Sequence, residues 1–240
     1  MKYSLESLRS SRNTITDQLK SLLGICFDLD GVLIDSMPLH ARAWQEAVRV
    51  RGLRLDKRLI YTWEGEPGMI TARRVFAGNG DGAPSDLAVE ALLADKEQRF
   101  KTLAAQLQVD QRLQRLLKAL QKASIRLGLV TGTSARELPR VVPARILARF
   151  QIIVTGDRVA HGKPHPEPYL IAFQRLRLAP TRAIVVENAP YGIQAARSAG
   201  AGVIVALASS LPKRFLTDAD LVVTTIDQLC DTLRTLVCLD

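Results

Sequence analysis

Long apolar stretches are missing from this chain of 240 residues. The longest, residues 22–27 and 202–208, are far shorter than the roughly 18 residues that a membrane-spanning helix needs. The first twenty residues scatter Glu6 and Asp17 among basic and polar residues, without the apolar core and small-residue cleavage site of a secretory signal. We therefore expect neither a membrane span nor secretion.

Cysteine is scarce as well, with Cys26, Cys230 and Cys238 as its only occurrences and no Cys-x-x-Cys spacing. Each stands among apolar residues, where a thiol packs as a small hydrophobic group. An odd number of such residues argues against a disulfide-based scaffold and favours a reducing compartment. We therefore expect a cytoplasmic protein.

No concentrated run of positive charge is present, although the formal net charge is +9, from 33 Lys plus Arg against 24 Asp plus Glu. A basic balance is typical of proteins that bind nucleic acid, an acidic surface or an anionic substrate. Nucleic-acid binding is disfavoured because aromatic residues make up only 5% of the chain and do not alternate with arginine. An anionic small molecule is the partner that remains.

Short runs of Val, Ile and Leu predict buried strands. These runs cover residues 24–29, 125–130, 151–155, 183–186 and 203–206. Continuous apolar runs are what a parallel sheet covered on both faces requires. Helical patterns at residues 111–122 and 168–176 alternate with them. The sequence therefore predicts an α/β fold with a doubly wound parallel sheet and a Rossmann-like core.

An insertion separates the first two predicted strands, since residues 30–124 are far more than one crossover helix needs. Helical patterns cover residues 39–50, 68–76 and 87–107, with a Gly- and Pro-rich loop at 78–84. We predict three parts. They are a polar leader over 1–22, a core domain formed by 23–36 and 108–240, and an all-α cap domain over 37–107.

Asp28 and Asp30 stand at the end of the first predicted strand, in the segment DLDGVLIDS (28–36). Period-two alternation points both side chains to the same side of the strand end. Two adjacent carboxylates repel each other, so such a pair indicates a cation between them or different protonation states. An ordinary Asp-Gly turn explains the same residues. This segment alone leaves both interpretations open.

Four segments in chain order resemble the motifs of the haloacid dehalogenase superfamily, in the branch with beta-phosphoglucomutase and small-molecule phosphatases. They are DLDGVLIDS (28–36), VTGTS (130–134), GKPHPEPY (162–169) and VVENAPYGIQAA (185–196). Each is short, but together they cover residues 25–208 in the family's order. The inserted helices resemble the family's α-helical cap, which opens here with PLHARAW (38–44).

The resemblance implies that Asp28 attacks phosphorus and forms an aspartyl-phosphate, and that Asp30 acts as general acid and base. Mg²⁺ is the implied cofactor, held by Asp28, the main-chain carbonyl of Asp30 and Glu187. Asn188 stands where many relatives have aspartate. It is expected to contribute a neutral oxygen to the metal or to a coordinated water, so metal binding is expected to be weaker.

The same resemblance assigns the phosphate-binding groups. Thr131 offers its hydroxyl, and the N–H groups of Gly132 and Thr133, expected to open a helix, hold phosphoryl oxygens. Lys163 adds a positive charge opposite the carboxylates. A strand-end threonine and a solvated loop lysine are the plainer interpretations of Thr131 and Lys163. The Lys163–Pro164 bond is predicted to be cis, since the family's tight turn delivers the lysine into the site.

The expected function is a magnesium-dependent phosphatase for a small phosphorylated metabolite such as a sugar phosphate. A phosphomutase is the alternative, but the cap turn YTWEGEPG (61–68) is acidic and lacks the arginine with which such mutases bind a second phosphate. A non-catalytic binding protein on the same fold is a further alternative because of Asn188. Dehalogenation is disfavoured, since it has no use for an acid and base at Asp30.

Three expectations complete the analysis. The chain is expected to be a monomer or a weak homodimer. It is expected to act without a nucleic-acid or membrane partner. His40, His161 and His165 have spacings that match no zinc motif, so no histidine-based metal site is predicted.

Overall fold

The computed structural model describes residues 24–80 and 83–239, so the predicted leader over 1–22 lies outside the described residues. Six parallel strands form one sheet in the order β3-β2-β1-β4-β5-β6. They are β1 (Gly24–Phe27), β2 (Arg126–Val130), β3 (Ile152–Val154), β4 (Ala183–Glu187), β5 (Val203–Leu207) and β6 (Leu221–Val223). The predicted doubly wound parallel α/β fold is confirmed.

Both faces of the sheet are covered by helices, which explains why the strands have no polar face. One face packs on α5 (Gln111–Lys122) and α10 (Ile226–Leu236), and the other on α8 (Glu167–Arg175) and α9 (Pro190–Ser198). Two short helices, α6 (Leu138–Val141) and α7 (Ala144–Leu147), lie between β2 and β3. The apolar face predicted for α5 is buried, with Leu113, Leu116, Leu117 and Leu120 at 1% exposure or less.

Four helices occupy the segment between β1 and α5. They are α1 (Met37–Arg49), α2 (Lys57–Thr62), α3 (Gly68–Gly78) and α4 (Asp86–Leu103), followed by a 3₁₀ turn at Ala104–Gln106. They share an apolar cluster of their own, in which Trp44, Val75 and Leu92 are buried. The helical character of the insertion agrees with its sequence pattern, although α2 was not predicted. The division at residues 37 and 107 remains a prediction.

Two expectations about the cysteines hold and one is wrong. Cys26 and Cys230 are buried thiols, whereas Cys238 is exposed. Cys238 follows the end of α10, where the chain turns through a left-handed φ of 53°. This turn, rather than the apolar neighbours in sequence, decides its exposure. None of the helices in the described ranges combines the length and apolarity needed to cross a bilayer.

The strand order places three neighbouring strands side by side at the middle of the sheet. β1 lies between β2 and β4 at the centre of the sheet, and all three run in the same direction. Their carboxyl ends therefore meet at one edge, at the point where the strand order reverses. Open α/β sheets bind ligands in the crevice at this position.

Candidate active site

Asp28 lies one residue beyond β1 and is fully buried, with 0% of its surface exposed. Its Oδ1 accepts a hydrogen bond from Lys163 Nζ at 2.6 Å, while its Oδ2 has no partner among the described residues. Burial raises the pKa of Asp28 to about 8; the positive charge of Lys163 opposes this rise, and the charges of Glu187 and Asp30 add to it. Asp28 is therefore a carboxyl whose ionised form needs additional positive charge.

Lys163 reaches this carboxylate from the loop that follows β3. Its ammonium group donates to Asp28 Oδ1 at 2.6 Å, to Glu187 Oε1 at 2.6 Å and to the carbonyl oxygen of Val130 at 3.3 Å. Burial lowers the pKa of Lys163, but the two carboxylates outweigh burial and hold it above its ordinary value. The Lys163–Pro164 bond is cis, as predicted. Lys163 is thus a buried, charged group, and not the solvated loop residue of the plainer interpretation.

Glu187 ends β4 and has protein partners on both oxygens. Oε1 accepts from Lys163 and from the Tyr169 hydroxyl at 2.5 Å, and Oε2 accepts from the Asn188 N–H at 3.1 Å. Gly192, in the first turn of α9, gives the carboxylate room, because a Cβ there would lie 2.0 Å from Oε1. The structure therefore places Glu187 beside Lys163, with two donors on Oε1 and one on Oε2, which keeps a further lone pair.

Asn188 presents a second unpartnered oxygen. Its Oδ1 is buried without a hydrogen-bond partner in the described part of the chain, as is Asp28 Oδ2. Its amide nitrogen packs against Gly31, whose φ is 85° and where a Cβ would lie 2.1 Å away. Buried oxygens without partners are rare because each carries a desolvation penalty. A hard divalent cation binds such oxygens, so the residues present fit Mg²⁺.

Asp30, in contrast, is held in its ionised form. Its Oδ1 accepts from Ser36 Oγ at 2.5 Å and lies 3.1 Å from His40 Nε2, while its Oδ2 accepts from Thr133 Oγ1 at 3.0 Å. Burial alone raises the pKa of Asp30, but a charged His40 and the hydrogen bonds from His40, Ser36 and Thr133 outweigh burial and lower the pKa. Burial lowers the pKa of His40 as well, so the hydrogen bonds from the two hydroxyls are the part of this effect that does not depend on the charge of His40. The pKa values of the two aspartates are thus shifted in opposite directions.

The expectation that Gly132 and Thr133 open a helix is wrong. Residues 132–137 form bends and turns, and the next helix, α6, begins at Leu138. Pro139 explains the difference, since inside a longer helix it would lack a donor and clash with the carbonyl four residues earlier. The Thr133 N–H instead donates to Thr131 Oγ1 at 3.0 Å. Thr131 is buried and lines a small cavity together with Lys163, so it lies near the lysine without being presented at a helix N-terminus.

A cavity of about 110 Å³ lies between the inserted segment that carries α1 to α4, called the cap from here on, and the core residues around Asp30. The cap lines it with Trp44, Trp63, Glu64, Glu66, Lys96, Glu97 and Phe100, and the core lines it with Asp30, Gly132, Thr133 and Glu137. The Lys96 ammonium lies over the Trp44 and Phe100 rings, and burial lowers its pKa. Burial, followed by the charges of Asp30 and Asp28, raises the pKa of Glu64 well above its ordinary value. The cavity is therefore polar and rich in carboxyl groups.

Several site residues were not predicted from the sequence. Tyr169 lies within the third motif and could have been found there. Ser36 is the last residue of the first motif and His40 follows it by four residues, and His40 stacks on Phe100 with ring centroids 3.8 Å apart. Lys96 carried no signal, because a lysine among the charged residues of a helix looks like an ordinary solvated side chain. Its position depends on how the cap packs on the core.

The comparisons with known proteins agree with this architecture. The profile of the haloacid dehalogenase-like hydrolase family matches residues 23–200. The chain therefore belongs to this family of hydrolases, in its beta-phosphoglucomutase-like and phosphatase branch, and is an enzyme. The alternative of a non-catalytic binding protein is set aside on this ground.

Two relatives in Escherichia coli carry named activities. Hexitol phosphatase A is 33% identical over 213 residues, covering 86% of this chain and 92% of that protein. A fructose-1-phosphate phosphatase is 30% identical over 180 residues, which cover 74% of this chain and 92% of that protein. The crystal structure of a beta-phosphoglucomutase from Clostridium difficile matches with a TM-score of 0.77 and 23% identity, covering 90% of this chain and 97% of that one, and supports the fold.

Proposed function

We propose that this enzyme is a magnesium-dependent phosphatase that hydrolyses sugar or polyol monophosphates through an aspartyl-phosphate on Asp28. The observation that carries the proposal is the environment of Asp28. It is a fully buried carboxylate at the sheet's ligand-binding edge, with one oxygen on Lys163 and the other unpartnered among the described residues. A group of this kind needs a cation to be ionised and is then positioned as a nucleophile.

In the first half of the proposed reaction, a carboxylate oxygen of Asp28 bonds to phosphorus and the bond from phosphorus to the substrate oxygen breaks. Asp30 gives a proton to that departing oxygen. The approach of a phosphate dianion raises the pKa of Asp30 above its low value in the free site, which allows it to carry this proton. In the second half, water bonds to phosphorus, Asp30 takes its proton, and phosphate leaves from Asp28.

The other groups position these two aspartates and balance charge. Asp28, Asn188 and the main-chain carbonyl of Asp30 would hold Mg²⁺, which when bound neutralises charge on the phosphoryl oxygens. Lys163 offsets the charge of Asp28, and Glu187 holds Lys163 in place from the opposite side. Oε2 of Glu187 keeps one lone pair, so in this proposal Glu187 also remains a ligand of the metal, as the resemblance implied.

The substrate class follows from the relatives and the cavity together. The two curated relatives are named for a hexitol phosphate and for fructose 1-phosphate. The cavity next to Asp30 offers Glu64, Glu97 and Glu137 as hydrogen-bonding groups for hydroxyls. Lys96 also lines the cavity and interacts electrostatically with all three glutamates. Carboxylates accept hydrogen bonds from several hydroxyls at once. A polyhydroxy leaving group fits this lining.

A phosphomutase is the second candidate, favoured by the fold shared with a beta-phosphoglucomutase. The cavity argues against it. A mutase must bind a second phosphate there, and Lys96 is the one lysine or arginine among the described residues that line it. Arg74, whose guanidinium lies over the ring of the lining residue Trp63, is already ion-paired with Glu66 at 3.1 Å.

The test is phosphate release from a panel of phosphorylated sugars and polyols with Mg²⁺. Asp28→Asn is expected to lower turnover by at least a thousandfold while the circular dichroism spectrum stays unchanged, because an amide keeps the shape but does not attack phosphorus. Asp35→Asn is the matched control, since Asp35 is an exposed aspartate in the same segment. Turnover above about one hundredth of wild type in Asp28→Asn would contradict the proposal, and sugar phosphate isomerisation without phosphate release would favour the mutase.

A further inference from the structure

A second cluster of metal-ligating side chains lies on the outer side of the loop that carries Lys163. His161, His165 and Glu167 each place a ligand atom within 4.8 Å of the others. His161 Nδ1 lies 3.0 Å and His165 Nδ1 lies 3.9 Å from the same oxygen, Glu167 Oε2. The two imidazole rings are 4.6 Å apart, centroid to centroid. Two imidazoles thus face one carboxylate oxygen.

The carboxylate of this cluster is held in position. Glu167 Oε1 accepts the Ala160 N–H at 2.7 Å, and Oε2 accepts the His161 N–H at 3.0 Å. These backbone hydrogen bonds, that of Ala160 first, lower the pKa of Glu167. Each carboxylate oxygen has a further lone pair after accepting one hydrogen bond. Metal-bound carboxylates are typically hydrogen-bonded in this way.

We propose that His161, His165 and Glu167 form a binding site for a divalent transition metal ion of the Zn²⁺ type, separate from the magnesium site. Two imidazole nitrogens and one carboxylate oxygen suit Zn²⁺ and disfavour Mg²⁺, which prefers oxygen ligands. The site goes beyond the proposed phosphatase function and does not depend on it. No histidine-based site was predicted from the sequence, although His161 and His165 have the spacing His-x₃-His of half a zinc motif. The third ligand is a glutamate two residues after His165, and no pair of cysteines accompanies the histidines.

The distances are close to those of a metal site. Ligands about 2.1 Å from a tetrahedral ion lie about 3.4 Å from one another. The His161 Nδ1 to Oε2 pair would open by about 0.4 Å and the His165 pair would close by about 0.5 Å, on the same geometry. The side chains of both histidines are free to move, being 67% and 50% exposed. Water completes the fourth position.

Binding rearranges two hydrogen bonds. The neutral His161 ring carries its proton on Nε2 instead of Nδ1 when Nδ1 binds the metal. His165 Nδ1 now accepts the Glu167 N–H at 3.2 Å and gives up this bond when it becomes a ligand. Because Lys163 lies between the two histidines in the chain, a bound ion fixes the outer side of the loop whose inner side holds the active-site lysine.

Zinc titration of the full chain by isothermal calorimetry tests the site. The protein carries Cys238→Ser, because Cys238 is an exposed thiol and thiolates are zinc ligands, which would confuse the titration. Excess Mg²⁺ occupies the active site. We expect one zinc ion per chain with a dissociation constant in the micromolar range and a rise in Tm of a few degrees at saturation.

His161→Asn, His165→Asn and the double variant are expected to weaken zinc binding at least tenfold. Glu167→Gln is expected to weaken it at least tenfold too, and Glu90→Gln, on the exposed side of α4, is its matched control. All histidine variants are expected to keep magnesium-supported phosphatase activity within about twofold. Zinc binding and phosphatase activity are therefore tested independently, and failure of one proposal does not imply failure of the other. A dissociation constant for zinc above 100 µM, or equal zinc binding by the wild type and the double histidine variant, would overturn the proposed site.

Discussion

At the scale of single residues, two neighbouring aspartates acquire opposite properties from their surroundings. Asp28 is buried with one partner and has a raised pKa, whereas Asp30 has three hydrogen-bonding side chains around it and a lowered one. The sequence predicted that the pair would either share a cation or differ in protonation, and the geometry supports both. It could not predict which aspartate receives which role, because Ser36, His40 and Thr133 reach Asp30 only in the folded chain.

Asn188 is the residue whose effect on the metal is most direct to test. We predict that Asn188→Asp lowers the Mg²⁺ concentration for half-maximal activity by about tenfold and leaves the maximal rate within about tenfold, or 1.4 kcal/mol of barrier. Asn188 Oδ1 is a neutral oxygen without a partner in the described residues. A negative charge there attracts a divalent cation strongly, because the effective dielectric of a partly buried site is well below that of water.

The measurement is activity titrated against Mg²⁺ at fixed ionic strength. Gln194→Glu adds the same charge on the exposed side of α9 and is expected to change the Mg²⁺ requirement less than twofold. A higher Mg²⁺ requirement in Asn188→Asp, or full activity of the wild type in chelator, would show that Asn188 does not lie beside the metal.

At the scale of the elements, the junction of β4 and α9 holds the Glu187 carboxylate in place. Gly192→Ala is predicted to lower activity at least tenfold and to destabilise the fold by about 1–3 kcal/mol, the usual effect of overpacking. The reason is steric, since the added Cβ would lie 2.0 Å from Glu187 Oε1 and displace it from Lys163 and Tyr169. Turnover and thermal unfolding of the purified variant measure the two effects.

Gly78→Ala is the matched control for that substitution. Gly78 ends α3 and is exposed, and a Cβ added there would meet no other atom within 4 Å. Alanine at this position is therefore expected to leave activity unchanged and stability within about 1 kcal/mol. If Gly192→Ala behaves like Gly78→Ala, the close packing of α9 on Glu187 does not support the site.

The elements also show what a local pattern can predict. The amphipathic pattern of residues 111–122 predicted α5 with both ends correct, because four leucines recur at helical spacing. β6 was not predicted, since three residues at the edge of a sheet give too short an apolar run. The helix expected at Gly132 was wrong because the family pattern outweighed Pro139, a local signal that was present in the sequence.

At the scale of the whole molecule, charge is distributed unevenly. The chain has a net charge of +9, which favours the approach of phosphorylated, anionic substrates. The cavity beside Asp30 differs from this average, since four glutamates, Glu64, Glu66, Glu97 and Glu137, line it with a single lysine, Lys96, among the described residues. Glu66 is paired with Arg74 and the pKa of Glu64 is raised, so Asp30, Glu97 and Glu137 are the main sources of negative charge there. Composition indicated an anionic partner, but it could not show this contrast, because the cavity walls come from the cap and the core, far apart in sequence.

The acidic cavity predicts discrimination between substrates that differ only in a second phosphate. We expect kcat/KM for a hexose monophosphate to exceed that for the matching hexose bisphosphate by at least tenfold, because the second phosphate meets carboxylates with a single lysine between them. The pKa of Glu97 is raised by burial and then by the charge of Glu137, which shows that negative charge is already unfavourable at this wall. A further dianion there adds to the same repulsion.

Steady-state kinetics with both substrates, for the wild type and for Glu137→Gln, measure this discrimination. Glu137→Gln removes one negative charge from the wall without changing its shape, so the ratio of the two kcat/KM values is expected to fall severalfold, mainly through a gain for the bisphosphate. Glu90→Gln removes the same charge from the exposed side of α4 and controls for the net charge of the molecule. Equal kcat/KM values in the wild type would contradict the predicted discrimination. The same change in both variants would mean that long-range charge, and not the cavity wall, selects the substrate.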